Sequence, residues 1–146
     1  MKIAICGSLD FTHEMKKLAD DSQAKEHVVD LLVTSQRILN GETSVEQIKN
    51  EKEQGTFSDR AIKFDSIREY WSIIQHSDAI LLANYDKKNI ENHIGGNSFL
   101  EMGFAHVLGK KIYLLHTIPT MLYSDEIKAM QPVELDGDIS KLTTKS

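Results

Sequence analysis

The chain is poor in the residues that mark several protein classes. Among 146 residues there is one cysteine, Cys6, so no disulfide can form within the chain. A single thiol inside the apolar run Ile-Ala-Ile-Cys-Gly reads as buried and inert, and fits a reducing compartment. Positive charge is in deficit. Seventeen Lys and Arg against 22 Asp and Glu give a net charge of -5, and no run of basic residues suggests a track for a phosphate backbone. A nucleic-acid polymer is therefore not an expected partner. No stretch approaches the roughly 20 apolar residues of a helical membrane span. The apolar run after Lys2 is too brief for a signal peptide, so the expected location is cytoplasmic. The six histidines (13, 27, 76, 93, 106 and 116) show no H-x-H or H-x-x-x-H spacing. With the cysteine in an apolar run, neither a metal site nor a cofactor is expected.

What is present suits one soluble globular domain spanning residues 1–146. Hydrophobic residues make up 40% of the chain and charged residues 27%, and the length is sufficient to bury a core. Residues 2–6 predict a buried strand that ends at Gly7-Ser8. Residues 11–26 predict a helix with Phe11, Met15, Leu18 and Ala19 on one face. "HVVDLLV" predicts a second strand. Asn40-Gly41 then breaks the chain, and Thr43 or Ser44 can cap a polar helix that Gly55 ends. A helix follows over 59–76, with Ile62, Ile67, Tyr70, Trp71 and Ile74 facing inward. "DAILLAN" predicts a central strand, residues 97–109 a helix, and "KIYLLH" a fourth strand. A short helix near "SDEIKAM" and an edge strand at "PVELD" complete the series, and the tail from Thr143 is expected to fray.

Strands alternating with helices imply an α/β fold. The expectation is a five-stranded parallel sheet in the order 2-1-3-4-5, in a doubly wound, flavodoxin/Rossmann-like three-layer sandwich. Ligands of such sheets bind beyond the carboxyl ends of the strands, where strands 1 and 3 diverge. That rule selects Gly7 to Asp10, Asn84 to Asp86, and His116-Thr117.

The stretch "IGGNSFLEMGFAHVLGKK", which starts at Ile94, begins a helix on the same rim. Gly95, Gly96, Asn97 and Ser98 can bring backbone N–H groups to an anion at the helix start. Glu101 has two readings. Ser98 to Glu101 matches the S-x-x-E capping box, which needs no function. Yet Glu101 shares a helix face with Ala105 and Leu108, and that face must pack on the sheet. A partly desolvated carboxylate at this rim suits nucleophilic or acid/base work. Neither glycine loop is a P-loop or a dinucleotide fingerprint. The clustered acids of a phosphoacceptor receiver are also missing after strand 1.

"ICGSLDF", "SDAILLANYD" and "LEMGFAHVLGKKIYLL" together resemble the nucleoside 2-deoxyribosyltransferase superfamily, which includes the 2'-deoxynucleoside 5'-monophosphate N-glycosidases. The resemblance implies that Glu101 attacks C1' of the sugar, and that Asp78 positions substrate and assists departure of the base. It also implies that Ser8, Gly96, Asn97 and Ser98 hold a 5'-phosphate, that the ligand is a nucleoside or nucleotide, and that the chain forms a homodimer or higher oligomer. The turn departs from that family's G-x-G-x-E. It is also similar to the G-G-x-G-T-x-E of the cytokinin riboside monophosphate phosphoribohydrolases, which likewise cleave an N-glycosidic bond. A catalytically silent nucleotide-binding module is the rival expectation.

Overall fold

A computed structural model describes residues 1–143; the tail expected to fray lies, beyond Thr143, outside the described residues. Five parallel strands form one sheet in the order β2-β1-β3-β4-β5. They are β1 (Lys2–Cys6), β2 (Val28–Asp30), β3 (Ala79–Leu82), β4 (Lys111–Leu114) and β5 (Val133–Glu134). The expected α/β architecture and strand order are both present.

Alternation along the strands divides the core. Ile3, Ile5, Ala79, Leu81 and Tyr113 face α1 (Thr12–Gln23), where Met15, Leu18 and Ala19 meet them. Ala4, Cys6, Ile80, Leu82, Ile112 and Leu114 face the opposite layer. That layer holds α5 (Ser66–Gln75), α6 (Gly96–Val107) and α7 (Ser124–Ala129), which supply Tyr70 and Ile74, Met102 and Ala105, and Ile127. β3 is buried throughout, as its uninterrupted apolar run requires. Three further helices, α2 (Val33–Leu39), α3 (Val45–Gln54) and α4 (Phe57–Lys63), gather around a small cluster of Leu9, Ile38 and Ile48. Ser44 caps α3 by accepting from the Gln47 N–H at 3.1 Å, and Gly55 ends it with φ 74°.

Two segments differ from the sequence expectation. The second strand stops at Asp30, and Val33–Leu39 is helical although β-branched Val33 and Thr34 open it. Packing outweighs propensity there: Ser35 and Ile38 are buried, and the Ser35 and Thr12 hydroxyls lie 3.1 Å apart. The single helix expected over 59–76 is two. Asp65 adopts φ 48° between α4 and α5 and redirects the chain. In consequence Ile62 (77%), Ile67 (52%) and Trp71 (39%) are exposed rather than inward, while Tyr70 and Ile74 are buried as expected.

Candidate functional site

Gly7 follows β1, and space favours a residue without a side chain. A Cβ there would lie 2.9 Å from Met15 Sδ and 3.3 Å from the Ala83 carbonyl oxygen. Ser8 follows and caps a 3-10 turn (Leu9–Phe11), its hydroxyl accepting from the Asp10 N–H at 3.3 Å. Just beyond the neighbouring strand, β3, Asn84 is buried, and its amide is spent on backbone. Nδ2 donates to the Thr117 carbonyl at 3.1 Å, and Oδ1 accepts from the His116 N–H at 2.9 Å. Asn84 therefore fixes the rim where the loops after β3 and β4 meet. His116 contributes its backbone to that joint, while its ring packs edge-on to Tyr85.

The loop between β3 and α6 closes over this rim. Asp86 accepts from the Asn92 N–H at 2.8 Å, and the Asn92 amide donates to the Thr117 hydroxyl at 2.9 Å. Lys87 then reaches back to the turn after β1. Its ammonium group donates to Ser8 Oγ at 2.7 Å and pairs with Asp10 Oδ2 at 2.9 Å. Between the two loops lies a cleft lined by Gly7, Ser8, Phe11, Asn84, His93, Gly95 and Ser98. Its volume is about 10 Å³. That is room for about one water molecule, so a sugar enters only if the loops part.

α6 starts at Gly96, with Gly95 as its cap residue and no side chain capping the first turn. Its free N–H groups and the positive end of its dipole thus remain available at the cleft. A Cβ at Gly96 would meet nothing within 4 Å, so open space adjoins this end of the helix. The helix begins two residues before Ser98, which is buried in its first turn, and the capping-box reading of Glu101 fails on that geometry.

Glu101 points inward instead. It is 6% exposed, and its Oε2 is buried with no hydrogen-bond partner among the described residues. Burial pushes its pKa up to about 8, against a hydrogen bond from the Cys6 thiol that pulls it down. Burial also raises the Cys6 thiol well above its usual range, with the charge of Glu101 adding to the effect. Beneath them Tyr70 donates its hydroxyl to the Ile5 carbonyl. A buried carboxyl with an unused oxygen, on the helix that starts at the strand-end rim, can interact with developing positive charge when ionised.

The structure brings Gly7, Ser8, Asn84, Gly95 and Ser98 to one cleft, with Gly96, Asn97 and Glu101 on the helix that opens there. It does not bring Asp78. That residue precedes β3 and so stands at the opposite rim, where its carboxylate accepts from the Lys2 N–H at 2.7 Å. In a parallel sheet all strand starts share one rim and all strand ends the other, so a junction aspartate before β3 cannot face a site after it. Sequence reasoning missed Lys87, His93 and Phe11. Lys87 lies one residue past the Asn84–Asp86 stretch, and only the return of the loop gives it a role.

A larger open groove of about 460 Å³ runs between α2, α3 and α4, past Arg37, Glu51, Arg60 and Phe64. Its arginines are already engaged, Arg60 with Glu51 at 3.0 Å and Arg37 with Glu42 at 3.4 Å, so it has the weaker claim to a ligand. Among the described residues no group of three or more His, Cys, Asp or Glu could hold a metal ion, and no helix is long and apolar enough to cross a membrane. Comparison of the chain with protein-family models, with curated proteins and with solved structures finds no match.

Proposed function

We propose that the protein cleaves the N-glycosidic bond of a nucleoside or its 5'-monophosphate, with Glu101 as nucleophile. The observation that carries this reading is the buried, unpartnered Oε2 of Glu101 on the helix whose uncapped N-terminus opens at the cleft. In the reaction the ionised carboxylate attacks C1' as the C1'–N bond breaks. The bonding pair leaves with the base, which takes a proton. Water, or a second base, then attacks C1' of the resulting ester and releases the carboxylate.

The parts divide the work as such a substrate needs. N–H groups of Gly96, Asn97 and Ser98, with the Ser8 hydroxyl, face a phosphate or 5'-hydroxyl, and Glu101 stands one turn deeper. Asp78 has no part in it. The sequence resemblance and a glycine-walled cleft at the strand ends support the same assignment. We further propose that the chain acts as a homodimer joined through α6.

One observation favours a second reading. Glu101 does not line the cleft, as suits a nucleotide-binding module without turnover. Base release from a panel of nucleosides and their 5'-monophosphates separates the two. The glycosidase reading expects free base from at least one member. A folded protein that binds members of the panel and releases no base from any of them is the binding module.

A further inference from the structure

Three lysines from two separate segments, Lys49, Lys52 and Lys87, converge on one carboxylate. Ile48 of α3 packs on Leu9 of the turn after β1, which sets Lys49 and Lys52 beside Asp10. Lys87 reaches the same carboxylate from the β3–α6 loop, and Lys88 is next to it in the chain. Among the described residues, Lys49, Lys52 and Lys88 make no ion pair of their own. Asp10 thus meets three ammonium groups, and Lys88 adds its charge to that of Lys52, in a chain whose net charge is -5.

The imbalance registers on both partners. Burial lowers the Lys52 pKa, and the charges of Lys87, Lys88 and Lys49 lower it further against Asp10. Burial works to raise Asp10, yet Lys87, then Lys52 and Lys49, hold its carboxyl below the usual range. Asp10 is also an incomplete match for the cluster. Oδ2 meets Lys87, while Oδ1 is buried with no hydrogen-bond partner among the described residues. The cluster adjoins the cleft through Ser8, which lines the cleft and shares Lys87 at 2.7 Å. Ser8 and Lys87 thus join the cleft to the carboxylate on which Lys52 and Lys49 also act.

We propose that the lysines around Asp10 form a polyphosphate subsite, and that the ligand of the cleft is a nucleoside 5'-di- or triphosphate. The first phosphate sits at the start of α6, and the outer phosphates take the place of the Asp10 carboxylate among the lysines. Release of Lys87 from Ser8 and Asp10 is also what frees the two loops to part. This inference rests on the glycosidase reading for the place of the first phosphate, and deepens it by naming the substrate class.

Titration calorimetry on the full chain tests it, with orthophosphate and tripolyphosphate as probes and then a deoxynucleoside monophosphate and its triphosphate. Tripolyphosphate is expected to bind at least about tenfold more tightly than orthophosphate, and the triphosphate to exceed the monophosphate similarly. Replacing Lys49→Ala and Lys52→Ala together on the exposed face of α3 should erase that margin and leave monophosphate binding intact. Asp10→Asn, which removes the competing charge, should widen it. Lys25→Ala with Lys110→Ala, before β2 and β4 at the opposite rim, should leave it unchanged. Equal affinities for the two probes overturn the proposal, as does a margin that survives loss of Lys49 and Lys52 or falls equally with Lys25 and Lys110. Base release measured on the same nucleotides keeps the two ideas apart. Cleavage of monophosphates without tighter triphosphate binding overturns the subsite alone. Tight, lysine-dependent triphosphate binding without base release overturns the glycosidase alone.

Discussion

Glu101 holds its proton at neutral pH, because its carboxyl is buried and its pKa stands at about 8 against 4.5 in water. The fold therefore favours the neutral form. Its contribution to stability is complete below pH 4.5, declines as the pH rises from 4.5 to 8, and is lost above 8. Glu101→Gln removes the titration, so its stability should be flat over that interval where the native chain loses a few kcal/mol. Denaturant melts across the range check this. The same substitution should cost on the order of 10³-fold or more in base release, since the amide cannot attack C1'. On the proposed glycosidase reading, kcat/KM of the native chain should climb with pH until about 8, as Glu101 ionises. A rate that falls over this range would remove the nucleophile assignment. Gly7 gives a second test. Gly7→Ala forces a methyl group against Met15 and the Ala83 carbonyl, and should cost about 1–3 kcal/mol in a thermal or denaturant melt.

At the scale of elements, α6 shows what an amino-acid pattern discloses. Its apolar residues and the closing Gly109 (φ 69°) mark the helix, and the inward stripe of Glu101 and Ala105 is legible from spacing alone. Its start is not. Ser98 looks like a cap, yet Gly95 and Gly96 let the helix begin earlier, which removes the capping role from Glu101. α3 is the counterexample, since Ser44 does cap it. Ser44→Ala should therefore lower stability by about 0.5–2 kcal/mol, measured by thermal melting. The β3–α6 loop was the least legible part. Lys88, Asn89 and Asn92 all take positive φ without a glycine among them, and the return of Lys87 to Ser8 spans 79 positions. No local pattern encodes such a contact. Asp78 fails for a different reason: it stands before the third strand of an expected parallel sheet, at the rim opposite the strand ends, so the strand pattern already argues against the role the resemblance implies.

The whole molecule leaves apolar side chains uncovered on two helices packed side by side. Leu100 (42% exposed) and Val107 (85%) lie two turns apart on α6, and Ile67 and Trp71 one turn apart on α5. This is the face through which the proposed dimer would form. Light scattering at micromolar concentration should give twice the chain mass, and Val107→Lys should shift the population toward monomer. A fully active native monomer would end the dimer proposal. Among the described residues the sheet offers only short edges. β2 and β5, three and two residues long, form its two sides. Asp30 on one is paired with Lys2 at 3.7 Å, and Glu134 on the other accepts from the Ile118 N–H at 3.0 Å. Each side exposes a valine, Val28 on β2 and Val133 on β5, but so brief a border gives a stray strand little to add to, in this chain or another copy. Partial unfolding confined to the helices should accordingly yield amorphous precipitate rather than ordered fibrils, and a cross-β dye should stay dark while turbidity rises.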